Sequence, residues 1–436
     1  APGVSGAPAD GPAGPAGPAR PRAESPPRAT TSPASTLPTV QIGALLPLSG
    51  NSAWFGKEMR QGLELAIAEL NRLSEPRPAD EPPAPPVEGN AEPSAAAPPP
   101  TDEGEAKPSA APPPTDDALT APGVHLTLEA IDVRAVETKE AAEAFGRLAA
   151  GRVPIVFTAS ATPTLTIQPL ATARQVLLVH QGVVTSRVAT PSRLLLHTRA
   201  TIPLLVERLA AHAWESGIRR LALLAAGDDF GRAARAALGP AWRERGGVLA
   251  HQESLTPDTP DLAARLRRLA RLGPDAVALA FRGTDLGDLA ARLRDAGYTG
   301  RLLVLDDDPG ALLAAGPALE DAAVVSDAFV PDDPRGERFV LAYKAKYTAP
   351  PSLYAANAYD ALAAVAEGLR AAMAGGRDVP TGARVREALG AQRRFPSVYG
   401  PPLVLRDDGT FGRAVALFRV EGGKLAFVRY LGVPRS

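Results

Sequence analysis

Apolar positions along the chain fall into short continuous runs separated by stretches with apolar residues spaced three and four apart. Val40–Leu46 is a continuous run that predicts a buried strand, and Leu63, Ala66, Ile67 and Leu70 behind it recur at helical spacing. Leu126–Ile131, Ile155–Phe157, Val176–Val179, Leu221–Ala225, Ala276–Ala280, Leu302–Leu305 and Ala323–Val325 predict further strands. Glu137–Ala149, Ile202–Glu215, Arg232–Arg245, Asp261–Leu272 and Asp285–Asp295 predict helices between them. Gly246-Gly247, Gly273-Pro274 and Gly297 fall where helices should close. Strand and helix in alternation mean parallel sheets covered by helices, an α/β architecture. So many strands divide more naturally into two doubly wound lobes than into one sheet.

The end of the chain reads differently. Leu353–Met373 predicts one long helix and Val379–Leu389 another. Pro402–Arg406 and Ala414–Val420 predict an antiparallel hairpin around the turn Asp407-Asp408-Gly409-Thr410. Gly422-Gly423 offers a second turn before Leu425–Tyr430.

Two segments break the pattern. Residues 1–38 and 75–122 together hold 25 of the 46 prolines, mixed with Ala, Gly, Ser and Glu. Such sequence offers too little apolar surface to offset chain entropy, so both are expected to be disordered or extended. The first reads as a tether (1–38) and the second as an insertion in a surface loop. The insertion contains an imperfect repeat, Pro93–Glu103 against Pro108–Asp117.

Charge is balanced, with 47 Lys and Arg against 48 Asp and Glu, which points away from nucleic acid or a membrane surface as partner. The absence of cysteine rules out disulfides, thiolate metal sites and cysteine nucleophiles together. No run of about 18 apolar residues would span a membrane as a helix. Ala1 in place of an initiator Met reads as a mature N-terminus freed of an export signal, or as a trimmed boundary.

Candidate chemistry gathers at strand-to-helix turns. Ser49–Glu58 resembles a phosphate-binding loop, but five residues separate Gly50 from Gly56, and Glu58 stands where a hydroxyl should meet Mg²⁺. Trp54 and Phe55 in that turn either face the crevice where open α/β sheets bind ligands or pack on the following helix. Thr158–Thr166 presents hydroxyls, Ser160 and Thr162 among them, and helix-start amides suited to a carboxylate; ordinary capping explains part of the pattern. Asp306, Asp307 and Asp308 either cap a helix or meet a ligand ammonium. The five histidines are scattered, and His180, at a strand end, reads more readily as structural. Catalytic constellations are missing: there is no G-x-S-x-G, no H-E-x-x-H and no G-x-G-x-x-G after a strand. No catalytic residue, metal site or cofactor is expected.

Four stretches in order carry a family resemblance. Val40–Asn71 resembles the opening of the leucine/isoleucine/valine-binding type of periplasmic solute-binding protein: a strand, a Pro-Leu-Ser-Gly turn, an aromatic-Gly pair and a helix ending in Asn. Asp228–Arg232 resembles that family's acidic-aromatic-Gly helix start, Pro351–Ala363 its late helix, and Val398–Gly412 its closing hairpin. The resemblance spans nearly all of 39–436 except the insertion. It implies a type I periplasmic binding protein fold, two lobes joined by three crossovers that close on a ligand. Lobe 1 would hold 39–199 and 328–391, and lobe 2 would hold 200–327 and 392–436. It also implies a ligand site at Trp54, Phe55, Ser160, Thr162, Gly182, Val183, Thr185 and Phe230, with Asp307 or Asp308 facing an ammonium. The implied partners are an amino acid or similar small carboxylate and the membrane permease of an ABC transporter. The protein would be a monomer, periplasmic or otherwise extracytoplasmic, free or lipid-anchored. The same fold serves outer-membrane lipoproteins that activate cell-wall synthases by contact, and the turn Leu45–Gly50 resembles those as well.

Overall fold

The computed structural model describes residues 37–50, 52–75, 119–120, 122–134, 137–184, 192–256, 258–282, 284–305, 316–331 and 333–432. Thr185, Asp307 and Asp308 therefore lie outside the described residues, as do most of the tether and the insertion.

The first sheet is built from β1 (Thr39–Leu46), β2 (His125–Asp132), β3 (Ile155–Thr158), β4 (Leu177–His180) and β5 (Leu195–His197). All five run parallel in the order β2-β1-β3-β4-β5. Between the strands run α1 (Ala53–Ser74), α2 (Lys139–Ala150) and α3 (Ala161–Ala173). Ile155 and Phe157 of β3 enter one core with α1, while Val156 enters another with α2 and α3. Burial on both faces is why this strand reads as a continuous apolar run.

The chain then enters a second unit through α4 (Ile202–Glu215), β6 (Arg220–Ala226), α5 (Asp229–Glu244), β7 (Val248–Leu255), α6 (Leu262–Leu272), β8 (Ala276–Ala280), α7 (Thr284–Asp295), β9 (Arg301–Leu305) and β10 (Ala323–Ser326). Leu221, Leu223 and Ala225 of β6 face α4 and α5, and Ala222 and Leu224 face α6 and α7. Gly246, Gly273 and Gly297 close α5, α6 and α7 at positive φ.

The return path is α8 (Pro334–Tyr347), α9 (Leu353–Met373), α10 (Gly382–Gln392), β11 (Arg394–Phe395), β12 (Leu403–Leu405), β13 (Phe411–Gly412), β14 (Val415–Glu421) and β15 (Lys424–Gly432). Helix α9 lies on α1 and joins the first core. The second sheet has the order β15-β14-β10-β9-β8-β6-β7, with β14 and β15 antiparallel.

The structure departs from the sequence reading in four places. The strand after the Asp407–Thr410 turn is split: Phe411–Gly412 pairs with β12, whereas β14 pairs with β10 and β15. Phe395, Leu403, Leu405 and Phe411 belong to the first core, so the chain crosses at Arg413 and Ala414, later than the residue-392 boundary read from sequence. Strand β5 is unanticipated because it is only three residues long, and β7 because it carries His251, Gln252, Glu253 and Ser254 at a sheet edge without an apolar run. Helix α8 escapes notice because only Gly336, Phe339 and Tyr343 are buried among its charged residues.

Candidate functional site

Register aligns the carboxyl ends of the first sheet. Leu45 pairs with Thr158, Thr158 with His180, and His180 with His197. The loops that follow β1, β3, β4 and β5 therefore leave from one edge, the edge where parallel α/β sheets bind ligands. Three of them contain residues singled out from the sequence: Trp54 and Phe55, Ser160 and Thr162, Gly182 and Val183.

After β1, the turn is held from across the sheet. Asp132 Oδ1 accepts from the Leu48 and Ser49 amides at 2.7 and 3.2 Å. Burial raises this carboxyl, but the Ser49 and Leu48 bonds and the nearby Arg134 bring it below the usual carboxylate range. Helix α1 starts close against the turn, since a Cβ on Gly56 would sit 2.0 Å from the Pro47 carbonyl oxygen. The aromatic-Gly pair thus has a physical reason: Gly56 admits the close approach and Phe55 is carried to the edge. The second lobe repeats it, with a Cβ on Gly231 falling 2.1 Å from the Ala226 carbonyl oxygen.

Phe55 is half-buried and Trp54 is 48% exposed. Both meet Tyr354 at the start of α9, with ring centroids 5.4 and 5.3 Å away, and the Arg199 guanidinium lies 5.9 Å from the Tyr354 centroid. Tyr354 and Arg199 belong to this aromatic corner but carry no local sequence signal for it.

Ser160 is the N-cap of α3, yet its side chain makes no capping bond, whereas Asp228 caps α5 through Gly231 N at 2.9 Å. Beside it, Gln181 N donates to Thr158 O at 2.8 Å, which sets Gln181 one step beyond the last rung of β3 and β4. The Gln181 side chain is fully buried, and neither its nitrogen nor its oxygen has a hydrogen-bond partner among the described residues. A buried amide left so costs about 1–3 kcal/mol. Gly182 approaches Ala159 closely: a Cβ there would lie 2.2 Å from the Ala159 carbonyl oxygen. Val183 packs against the second core, and Val184 bridges to Thr201 at the start of α4.

His180 lies behind this loop with Nδ1 3.0 Å from Thr164 Oγ1 and 3.4 Å from Thr158 Oγ1. Its ring meets His197 edge-on at 5.9 Å. Burial first, then coupling to His197 should both rings charge, and the Arg199 cation pull His180 down to about 3, and burial pulls His197 down to about 4.

On the second lobe Phe230 is 1% exposed and is a core residue, not an exposed wall. Arg282 lies 5.1 Å from its ring centroid and pairs with Asp228 at 2.9 Å.

The crossings between the lobes are locked by buried charge. Arg199 and Ala200 of the first crossing bond Asp327 of the second. Arg413 of the third donates to Thr198 O at 3.2 Å, to Asp360 Oδ2 at 3.0 Å and to Asn357 Oδ1 at 2.9 Å. Asn357 in turn donates to Thr198 Oγ1 at 2.8 Å. All three crossings are therefore tied to each other or to α9.

Among the described residues, no group of three His, Asp or Glu could hold a metal ion, and no helix is long and apolar enough to cross a membrane.

Comparison with solved structures finds the same fold. The leucine-binding protein LivK of Thermotoga maritima superposes with a TM-score of 0.66 at 20% identity, covering 90% of this chain and 98% of its own. The branched-chain amino acid transporter substrate-binding protein LivJ of Streptococcus pneumoniae, in complex with isoleucine, gives 0.67 at 18% identity, covering 91% and 100%. A solute-binding protein of an R. palustris ABC transporter, in complex with benzoate, gives 0.66 at 16% identity, covering 91% and 97%. At these identities the likeness is one of fold. No curated protein matches the sequence. The family profile described as periplasmic binding protein matches residues 39–424, nearly the whole of the folded chain. With two doubly wound lobes, three crossings and a register that gathers the loops at one sheet edge, the chain belongs to the periplasmic binding protein family.

Proposed function

We propose that the protein is the extracytoplasmic solute-binding component of an ABC-type uptake transporter, binding an amino acid or a similar small carboxylate between its lobes without transforming it. The observation that carries this reading is the Gln181 carboxamide, a donor and an acceptor buried together and unpartnered among the described residues. Its backbone amide bonds the carbonyl of Thr158, two residues before Ser160, whose side chain makes no capping bond to the first turn of α3. First-turn amides of a helix attract a carboxylate, and Gln181 can complete its bonds on the same ligand. Phe55, Trp54 and Tyr354 supply an apolar wall for the rest of the molecule. Val183 in the loop after β4 narrows the site toward apolar ligands.

The relatives of like fold support this choice of class, since they include complexes with isoleucine and with benzoate. Asp307 or Asp308 would add a counter-charge for an ammonium, which separates an amino acid from a simple acid. Ligand contacts from both lobes favour the closed arrangement, and that differential binding is what a permease could sense.

Native mass spectrometry of protein unfolded, dialysed and refolded tests the reading. Added aliphatic amino acids and benzoates should include one that restores a one-to-one complex. A chain that takes up none of them, while retaining its fold, overturns it.

A further inference from the structure

Two of the segments proposed to meet the ligand, the start of α3 and the loop after β4, follow different strands, and one carboxylate reaches both only if their spacing is held. Strand alternation decides which side chains lie between them. Val156 and Leu178 enter the core shared with α2 and α3, so Thr158 and His180, two residues on, face α3 as well. Thr158, His180 and Thr164 of α3 are all 0% exposed.

Thr164 Oγ1 joins this group together. It lies 2.7 Å from Ser160 O, 2.7 Å from Thr158 Oγ1 and 3.0 Å from His180 Nδ1. A hydroxyl has one proton and two lone pairs, enough for three partners. One side chain thus ties the N-cap of α3, the end of β3 and the end of β4. The other edge of the imidazole lies against Gly182: a Cβ there would fall 3.0 Å from His180 Cε1 and 3.1 Å from Nε2. The Ala159 carbonyl oxygen, just before the N-cap of α3, lies 2.2 Å from the same point, so ring and carbonyl together leave room only for glycine. Nε2 has no hydrogen-bond partner among the described residues, so the ring is held from its Nδ1 side.

We propose, resting on the carboxylate reading of this edge, that His180 is a positioning residue of the ligand site: anchored on Thr164, its ring fixes the Gly182 backbone against the start of α3. Buried polar contacts that are packed on all sides define one geometry, and affinity for a small ligand depends on that geometry.

Calorimetric titration of the full chain with isoleucine and with benzoate tests this, beside hydrogen exchange of the ligand-free protein. Thr164→Val and His180→Phe each remove the contact between Nδ1 and the hydroxyl. Each should weaken uptake of whichever probe the unaltered chain binds by about tenfold. The double variant should also lose only about tenfold, because both substitutions remove the same contact. Thr164→Ser keeps the hydroxyl and should recover most of the affinity. Exchange at the Gly182 and Val183 amides should quicken about tenfold in both single variants, with α5 unchanged. Unaltered affinity in the single variants, or losses that multiply to about a hundredfold in the double, overturn the positioning role. Quickening spread equally to α5 assigns the contact to general stability and overturns it too. If the unaltered chain takes up neither probe, the carboxylate reading falls, and unchanged exchange at Gly182 and Val183 then overturns the anchoring on its own.

Discussion

Arg199 and Asp327, from different crossings between the lobes, form a two-point ion pair, Nε to Oδ2 at 2.8 Å and Nη2 to Oδ1 at 2.5 Å. The two side chains are 2% and 1% exposed. A pair so buried contributes geometry more surely than net stability, because desolvation offsets most of the attraction. Removing one partner is another matter. Arg199→Ala leaves a buried carboxylate without its cation and should lower the unfolding free energy by about 3–5 kcal/mol, read from urea titration. A loss below ~1 kcal/mol would mean that the pair does not lock the crossings.

The pH dependence of stability has two separable parts. His180 and His197 are held neutral in the fold, at about 3 and about 4, against about 6.5 in an unfolded chain. The unfolded state therefore binds more protons below pH ~6.5, and stability, complete above that value, falls as pH drops toward the folded values. Each histidine should contribute a slope of about 1.4 kcal/mol per pH unit in that window. Asp327 acts lower down. Burial alone would raise its carboxyl, but Arg199 and the Ala200 amide hold it below the usual range. Its share is present above the unfolded carboxylate value and is lost only in stronger acid. Urea midpoints at pH 7, 6 and 5 should fall steadily, His212, also lowered by burial, adding to the fall, and His180→Phe should flatten it in part. A flat profile between pH 7 and 5 contradicts the buried neutral pair.

Gln181→Leu separates binding from folding. Replacing an unpartnered buried amide by an apolar group of similar size should leave the ligand-free protein as stable or more so, while weakening ligand binding about 10- to 100-fold. Thermal melts and calorimetric titration read the two effects. Loss of stability with unchanged affinity would assign Gln181 to the core instead of the site.

Gly231→Ala tests the close approach at the start of α5. The new Cβ meets backbone at Ala226, which cannot swing aside as a side chain can, so a cost of at least about 1–3 kcal/mol is expected in urea titration. A neutral substitution would show that the helix start can back away from the strand.

Much of this architecture was legible because burial writes itself into the pattern of a strand covered on both faces. Val156, Leu223 and Leu279 sit in continuous apolar runs for that reason. The loops after β1 and β3 could be singled out because Trp54 and Phe55 are bulky aromatics at one strand-to-helix turn and hydroxyls, Ser160 and Thr162 among them, crowd the other, whereas the loop after β4 was reached only through the family resemblance. What the pattern hid is non-local. Arg199 is 128 residues from Asp327 and Arg413 is 53 from Asp360, and nothing near any of them marks the partner. The split at Arg413 was concealed because Phe411 and Val415 are equally apolar yet enter different sheets. Gln181 carries no local signal and was not among the residues singled out, since its lack of a partner is visible only once Thr158 and Thr198 stand beside it.

The most direct test of solute binding is a thermal-shift screen of refolded, ligand-free protein against the common amino acids, small carboxylates and aromatic acids. A ligand that binds only the folded state, present at about 100 times its dissociation constant, adds about 2.7 kcal/mol of stability. The account predicts such a shift for one chemical group of carboxylates and its reduction by about half or more in Gln181→Leu. No shift across the panel, from protein shown to be folded and free of ligand, would contradict it.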